Sequence, residues 1–428
     1  MSSLPLPRHP ALDAWGDYDR DDPFPLFAQV RAAGPVHPVR LADGHPAWLV
    51  VGYAEARAAL NDPRLSKDMH AALARSGETV AEGLPGPALA RHMLAVDPPD
   101  HTRLRRLAAP AFSRRRVDGL EDRVRAIVAQ LLDDMATRED EVVDLVADYA
   151  FPMPFTVVSE LLGIPEPDRA DLGRWFRTLL APHSWPPPAA TVAASDAIVD
   201  YLAALLDGKR ADPGEDLVTD LVTAGDAITR QEAMSTIFQL IVAGHDTTTS
   251  LVGNATVALL RHPAQRDALV ADPELVGRVV EEAMRWDPPG QHSTFRYATE
   301  DVPIGDVVIP ADAQVIVSLA AANRDPARYR DAESFDIHRT DGAHLALGHG
   351  IHHCLGAPLA RLEGRLALAA LHTRFPAMRL AVDPARLRWR HGDGLVLRGL
   401  SALPVHLGPS DQPAVAADGS SRSAGAVG

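Results

Sequence analysis

The sequence predicts a mainly α-helical fold with smaller β-sheet regions, and three observations support this prediction. Apolar residues recur at helical spacing over most of the stretch 100–181. A second stretch, which opens with Thr229-Arg230-Gln231-Glu232 and stops at His262-Pro263, is long enough for one helix of about 32 residues. Strand-like patterns occur in pairs separated by turns rather than between helices, which argues against a doubly wound parallel sheet.

The first hundred residues predict short elements and one long connection. The segment 66–97 has weak periodicity and contains glycines and prolines, so we expect a functional loop or a mobile element there. Before it, the patterns predict an irregular lead over 1–20, a helix over 23–33, a hairpin of strands 36–41 and 47–51 around Asp43-Gly44, and a helix over 53–61.

Prolines punctuate the helical middle of the chain. They break the pattern at 152, 154, 165 and 167, and the run Trp185-Pro186-Pro187-Pro188 marks a connection between two helices. Further on, we expect a helix over 274–286, strands within 294–319 around a turn at Gly305-Asp306, a helix over 355–374, and a last β region over 387–407.

The interior has no composition break or Gly/Ser linker, so we expect one domain over 21–408. Residues 409–428 are small, polar and aperiodic, which predicts a disordered tail.

Composition and charge limit the classes of partner. The chain is 46% hydrophobic and 23% charged, as is typical of a globular protein with a sizeable core. Its N-terminus lacks an apolar run, so we expect a cytoplasmic protein without a membrane anchor. The formal charge of −15 disfavours nucleic acids and anionic membranes, which are polyanions.

Cys354 is the only cysteine among 428 residues, so it has no partner for an internal disulfide. Glycines at 348, 350 and 356 favour a tightly turned loop, and a helix with Pro358 in its first turn follows. We expect the helix N-terminus to lower the pKa of this thiol. A thiolate on such a loop fits an axial ligand of haem iron. His344, His349, His352 and His353 also surround Cys354, which leaves a zinc site as an alternative.

The centre of the long predicted helix departs from helix propensity. Ala243-Gly244-His245-Asp246-Thr247-Thr248-Thr249 places a glycine, an aspartate and three β-branched residues where alanine or leucine would be favoured. Local rules tend to break at functional sites, so we expect chemistry here. The alternative is that the hydroxyl groups bond back to carbonyls of their own helix.

Three motifs together resemble those of the cytochrome P450 family. They are Ala243-Gly244-x-Asp246-Thr247, Glu282-x-x-Arg285, and Leu347-Gly-x-Gly-x-His-x-Cys354-x-Gly356. The resemblance runs from about residue 20 to 407. It implies the fold of that family, with haem between the long central helix and the Cys354 loop. Within the family, the chain resembles soluble bacterial enzymes that tailor macrolides and other polyketides.

The resemblance also implies a cofactor and the residues that hold it. Cys354 would be the axial ligand of haem b, and Gly244 would leave room for dioxygen. His101, Arg105, Arg296 and His352 match the partners of the haem propionates. Leu347 and His353 depart from the family pattern, which normally has a phenylalanine and an aromatic residue there, so redox potential and haem retention would differ from those of relatives.

Two further groups of residues receive roles by resemblance. Asp246 and Thr247 match the acid and alcohol that deliver the protons needed to break the O–O bond of dioxygen. Glu282, Arg285 and Arg339 match a buried structural ion-pair network; without the resemblance, Glu282 and Arg285 would be a routine surface pair.

The substrate and partners follow from the same resemblance. We expect a bulky, largely apolar substrate, oxidised by hydroxylation or epoxidation. The loop before Asp97 lacks the acid that relatives use to hold an amino sugar, since it reads His92-Met93-Leu94-Ala95-Val96. Terpenoid, steroid or xenobiotic substrates remain alternatives. The expected pocket residues lie near Trp185 and at Leu94, Ala243, His292 and Leu397.

Electrons would come from NAD(P)H through a separate reductase and a ferredoxin, and we expect a monomer. An arginine-rich surface could dock the acidic ferredoxin or could simply be solvated. We call it the basic face, and it comprises Arg103, Arg106, Arg114, Arg115, Arg116, Arg361 and Arg365. A haem sensor, a peroxide-driven enzyme and a zinc-binding helical protein remain as other classes.

Overall fold

The computed structural model describes residues 19, 21–41, 44–76, 86–138, 141–181, 187–390 and 396–409. Several predicted features therefore lie outside the described residues. They are the expected lead except Asp19, the turn residue Asp43, the middle of the segment 66–97, the region around Trp185 and the expected tail beyond residue 409.

Helices form most of the described chain, as the sequence predicts. They are α1 (Phe24–Ala33), α2 (Tyr53–Asn61), α3 (Met69–Ser76), α4 (Asp100–Ala108), α5 (Arg114–Asp118), α6 (Glu121–Ala136), α7 (Pro152–Leu161), α8 (Glu166–Leu179), α9 (Ala189–Ala211), α10 (Leu217–Val222), α11 (Arg230–Arg261), α12 (Pro263–Ala271), α13 (Val276–Trp286), α14 (Leu319–Ala322) and α15 (Ala357–Arg374).

The strands form small, mostly antiparallel sheets. They are β1 (Val36–Arg40), β2 (Pro46–Val50), β3 (Leu65–Ser66), β4 (Val143–Asp144), β5 (Arg296–Ala298), β6 (Val302–Ile304), β7 (Val307–Ile309), β8 (Gln314–Val317), β9 (Arg379–Leu380) and β10 (Pro404–His406). One sheet has the order β1-β2-β8-β5-β3, a second has β4-β10-β9, and β6 pairs with β7. Only the β2–β8 pair is parallel among the described strands.

Helix α11 is the central element, and its predicted limits are confirmed. The Thr229 side chain accepts a hydrogen bond from the Glu232 N–H, and the Glu232 carboxylate accepts one from the Thr229 N–H. This capping box fixes the start of the 32-residue helix. Helices α7, α13 and α15 pack against it, so most of its length is buried.

Several boundaries differ from the sequence predictions. The segment 66–97, expected to be a loop, contains α3 and a short 3-10 helix at Pro87–Leu89. The last helix begins at Ala357 rather than 355, because residues up to Gly356 belong to the turned loop. Within the described parts of the expected β region, 387–390 and 396–407, the chain forms one strand, β10, and isolated bridges.

Helix α9 is long and apolar enough to cross a membrane by length and composition alone. The sequence predicted a protein without a membrane anchor. Its buried residues, which include Ile198, Leu202 and Leu206, belong to the main hydrophobic core, and α8, α10 and α11 pack against it. Core helices of water-soluble proteins pass the same test, so this helix is weak evidence for a membrane span.

Candidate active site

A largely apolar internal cavity lies between α11 and the Cys354 loop. Ala243, Gly244 and Thr247 line it from α11, and Cys354 lines it from the loop together with Leu347. The two stretches singled out from the sequence therefore face one space, although about a hundred residues separate them along the chain.

The Cys354 loop is shaped by two glycines with a left-handed backbone. Gly348 has φ +73° and Gly350 has φ +74°. A Cβ at Gly350 would lie 2.8 Å from Asn61 Oδ1 and 3.0 Å from the Leu60 carbonyl oxygen, so this position also requires the absence of a side chain. The Cys354 N–H donates to the Leu347 carbonyl oxygen at 2.8 Å, which holds the cysteine just before the N-terminus of α15.

The pKa of Cys354 moves in the direction opposite to the expected one. Burial raises the pKa of this thiol, while the Gly356 N–H, Arg105 and Arg361 act in the opposite direction. The helix N-terminus favours a thiolate, but the cost of desolvating that charge is larger.

Four side chains match the expected propionate partners at one end of the cavity. Arg105, Arg296 and His352 line the cavity, and the His101 ring lies beside that of His352 with centroids 4.4 Å apart. Burial lowers the pKa of Arg296 to about 10. Burial, with the neighbouring cations, lowers the pKa of His352 to about 2.

These groups have unused hydrogen-bonding capacity. The Nε of Arg296 and both ring nitrogens of His101 are buried without a hydrogen-bond partner among the described residues. Buried polar atoms normally have partners, so an anionic ligand would satisfy this end of the cavity. A haem fits the donor set, with its carboxylates at the cations and its iron at Cys354.

Gly244 serves a packing role that the sequence did not reveal. A Cβ at this position would lie 2.9 Å from Cγ2 of Val158 on α7. The glycine therefore allows α11 and α7 to approach each other. Its backbone lines the cavity, but the side chain it lacks would point toward α7.

Thr247 and Asp246 face different surroundings. Thr247 lines the cavity, and its hydroxyl donates to the Ala243 carbonyl oxygen at 2.7 Å, which is the back-bonding that the sequence left open. Asp246 is absent from the cavity lining. Its carboxylate pairs with Arg390, which also donates to the Ser250 hydroxyl at 2.8 Å.

A second buried acid, Glu363 on α15, was missed by the sequence analysis. It lies against Thr248, whose side chain lines the cavity. Burial raises the pKa of Glu363 to about 8, and the Thr248 hydroxyl acts in the opposite direction. The available signal was a glutamate next to Leu362 on the apolar side of the helix that follows Cys354.

The structure brings Glu282, Arg285 and Arg339 together. The Glu282 carboxylate accepts hydrogen bonds from Arg285 Nε at 2.7 Å and from Arg339 Nε at 3.3 Å. Arg285 also donates to backbone carbonyls of Asn323, Ala332 and Ser334. Because Glu282 and Arg285 are almost fully buried, this is an internal network and not the surface pair considered as an alternative.

Two of the four expected substrate contacts line the cavity, and two do not. Leu94 and Ala243 line it. His292 is buried with its ring against Phe27, at a centroid distance of 5.7 Å, and is held by a β-bridge to Ser318. Leu397 forms a bridge with Gly290 and is also absent from the lining. The residues with a hydroxyl or amide side chain that line this space are Gln239, Thr247, Thr248, Ser293 and Thr294.

The basic face keeps most, but not all, of its expected cations. Arg103 donates to the Glu232 carboxylate at 2.6 Å and to the Ala227 carbonyl oxygen at 2.7 Å, so it links α4 to the start of α11. We therefore no longer count it as part of the basic face. Arg361 pairs with Glu281 at 2.6 Å. The exposed arginines are Arg106, Arg114, Arg115, Arg116 and Arg365.

The zinc alternative lacks a ligand set. No group of three or more His, Cys, Asp or Glu side chains in the described ranges could hold a metal ion together. An axial ligand to haem iron needs only the one thiolate.

Comparisons with known proteins agree with this geometry. A family model described as Cytochrome P450 matches residues 190–384. The cytochrome P450 monooxygenase PikC of Streptomyces venezuelae is 45% identical over 402 residues, covering 92% of this chain and 94% of that protein. The vitamin D(3) 25-hydroxylase of Pseudonocardia autotrophica is 41% identical over 392 residues, covering 91% and 94%. Among solved structures, the tirandamycin C-bound P450 monooxygenase TamI has a TM-score of 0.83 at 43% identity, covering 90% of this chain and 97% of that one.

Proposed function

The chain belongs to the cytochrome P450 family, and from this premise we propose that it is a haem-thiolate monooxygenase of bulky, largely apolar substrates. One observation carries the proposal: Cys354 and the central turn of α11 line the same cavity, which has buried cations at one end. When bound there, haem would supply the activation of dioxygen that inserts one oxygen atom into a substrate C–H or C=C bond.

The residues of the chain would hold the cofactor at its iron and at its carboxylates. Cys354 would donate its thiolate to the iron, and the Gly356 N–H and Arg105 would favour that charge. Arg105, Arg296, His101 and His352 would bind the carboxylates, as the partnerless nitrogens of His101 and Arg296 support.

Two buried acids on neighbouring helices are available to supply protons to the cavity. Thr247 would exchange its bond to Ala243 for one directed into the cavity. Asp246, released from Arg390, would take up a proton from solvent and pass it to the Thr247 hydroxyl. Glu363 is a second source, because its raised pKa of about 8 keeps it protonated near neutral pH and it contacts Thr248.

We propose a polyketide or macrolide as the substrate class, in secondary-metabolite biosynthesis. The apolar lining suits such a ligand, and Gln239 supplies a polar contact, since its Oε1 is buried without a partner among the described residues and faces this cavity. A steroid-like substrate is the second candidate, since a vitamin D(3) hydroxylase is a relative of 41% identity.

Electrons would reach the haem from a redox partner, as in the family, and we propose a ferredoxin that receives them from NAD(P)H through a reductase. The exposed arginines of α4, α5 and α15 give this otherwise acidic protein a basic face suited to an acidic partner. We place the protein in the cytoplasm as a monomer.

The test is spectroscopic and then catalytic. The purified protein should be red, and its reduced CO complex should have the strongly red-shifted Soret band of a haem thiolate, which Cys354→His should abolish without loss of the fold. Macrolides, aglycones, terpenoids and steroids should then be screened by the spectral shift that follows loss of the distal water.

Hits should be turned over with a ferredoxin system and, separately, with hydrogen peroxide alone. Product that requires the ferredoxin system supports the monooxygenase. Product formed only with peroxide, or a haem protein that turns over nothing, favours the peroxide-driven enzyme or the sensor. A colourless protein that retains no haem would refute the proposal.

A further inference from the structure

Lys67 is a buried cation for which the roles assigned above give no use. It follows strand β3, is 5% exposed and lines the cavity beside Arg296. The sequence has only two lysines, Lys67 and Lys209, among its 42 basic residues. Lys209 pairs with Asp216 at 2.5 Å and is absent from the cavity lining.

The ammonium of Lys67 is only partly satisfied. Its Nζ donates to the Thr294 hydroxyl and to the Phe295 carbonyl oxygen, the latter at 2.8 Å. An ammonium has three N–H donors, so one remains for a further acceptor. Burial lowers the pKa of Lys67 well below its usual value, and a buried charge without an anion is costly.

The cavity has a surplus of positive charge at this end. Lys67, Arg105 and Arg296 line it, whereas the described lining residues include no aspartate or glutamate. Asp97 lies behind Lys67, where it accepts hydrogen bonds from the Ser66 hydroxyl at 2.5 Å and from the Lys67 backbone N–H at 3.0 Å. Three basic side chains thus face one nearby carboxylate, and anionic ligands would be needed to balance them as cations.

We infer that Lys67 is a third basic residue of the haem-carboxylate site, donating its free N–H to a propionate of the bound haem beside Arg296. Two propionates and Asp97 then balance Lys67, Arg105 and Arg296. The histidines are left out of this balance, because they can donate N–H groups in either protonation state.

The inference rests on the proposed haem site. A carboxylate of a substrate has the same chemistry as a propionate, but the propionate is favoured. Strands β3 and β5 pair antiparallel with Ser66 opposite Tyr297, which places Lys67 next to Arg296. Both residues line the cavity together with His352, one of the expected propionate partners.

The test compares wild type, Lys67→Met, Lys67→Arg and the control Lys209→Met as purified ferric haem proteins. We expect Lys67→Met to transfer haem to excess apomyoglobin on the order of tenfold faster, since it loses a charged hydrogen bond. Its resonance Raman propionate bending band should shift, and its reduction potential should become more negative, because removal of a nearby positive charge disfavours the reduced haem. Lys67→Arg should lose haem at nearly the wild-type rate with a displaced propionate band, and Lys209→Met should match wild type throughout.

A second arm separates the two sources of carboxylate. Dodecanoic acid and dodecanol are titrated into each variant, and their binding is followed by the Soret shift. We expect Lys67→Met to change the affinity for both probes equally. Wild-type haem loss and an unchanged propionate band in Lys67→Met would overturn the inference. So would selective weakening of dodecanoic acid with haem retention unchanged, which would assign Lys67 to the substrate.

If Lys67→Met does not fold, the propionate band of Lys67→Arg decides: a displaced band supports the inference, and a wild-type band overturns it. Failure of the proposed function is separate, because wild-type protein would then contain no haem.

Discussion

Removal of the Glu282 carboxylate should destabilise the protein far more than removal of a matching surface acid. Glu282 accepts hydrogen bonds from Arg285 Nε at 2.7 Å and Nη2 at 2.8 Å, from the Asp336 N–H at 2.8 Å and from Arg339 Nε at 3.3 Å. Glu282→Ala leaves two guanidinium groups with reduced or no charge compensation in the interior.

The magnitude follows from this arrangement. Breaking a buried ion pair by removing one partner costs about 3–5 kcal/mol. In this variant Arg339 retains its ion pair with Asp341 at 2.9 Å, and Arg285 retains its hydrogen bonds to three backbone carbonyls. The main loss is therefore the negative charge that compensates Arg285. Typical stabilities are only about 5–15 kcal/mol, so we expect incomplete haem incorporation in this variant.

Asp171 provides the matched control. It pairs with Arg174 at the same i,i+3 spacing and at 2.6 Å, but the two side chains are 58% and 59% exposed. Asp171→Ala should cost less than about 1 kcal/mol. Urea unfolding followed by tryptophan fluorescence, together with the ratio of Soret to protein absorbance, gives both quantities. Equal urea midpoints for Glu282→Ala and Asp171→Ala, with full haem content, would refute the reasoning.

The remaining predictions concern the cavity and the basic face. Thr247→Ala should lower product formed per NADPH by about tenfold and release hydrogen peroxide, whereas Thr247→Ser should stay coupled; wild-type coupling in the alanine variant would contradict the role. Because the pKa of Glu363 is raised from 4.5 to about 8 in the folded protein, wild-type stability should fall relative to Glu363→Gln as pH rises from about 4.5 to about 8. The urea midpoints of wild type and Glu363→Gln should diverge across that range. Midpoints that change with pH in parallel would show that Glu363 is ionised in the folded protein. Arg115→Glu should raise the KM for ferredoxin about tenfold, more so at low salt, with kcat unchanged, while Arg388→Glu, on another exposed segment, serves as the control. Gln239→Leu should weaken binding of a hydroxylated substrate about tenfold in Soret titrations but spare a deoxy analogue; equal weakening of both would remove Gln239 from substrate recognition.

Local chemistry made α11 predictable. The Thr229–Glu232 capping box and the stop at Pro263 determine where this helix begins and ends, and both are signals between residues close in sequence. The Cys354 loop was predictable for the same reason, since its glycines are required at positive φ where they stand.

Contacts between distant segments were not predictable in this way. Arg103 looks like a surface cation within an arginine-rich stretch, but its partner Glu232 lies 129 residues away. His292 is four residues from Arg296, yet the bridge to Ser318 turns its backbone so that the ring packs on Phe27. Arg390, the partner of Asp246, gave no sequence signal for its role.

The pKa of Cys354 shows why correct local reasoning can give the wrong sign. A helix does begin after Cys354, two residues later than predicted, and the Gly356 N–H does favour the thiolate. Burial in the cavity is a tertiary effect, however, and it is larger.

Because Gly244 lies close to Val158, a larger side chain at position 244 requires a smaller one at position 158. An alanine at 244 would bring its Cβ within 2.9 Å of Val158 Cγ2 and 3.4 Å of Val158 Cβ, so Val158→Ala would remove the nearer atom. Enlarging residue 244 alone would force α7 away from α11, whereas the double substitution should restore part of the stability. Libraries that enlarge residue 244 should therefore vary position 158 in the same clones.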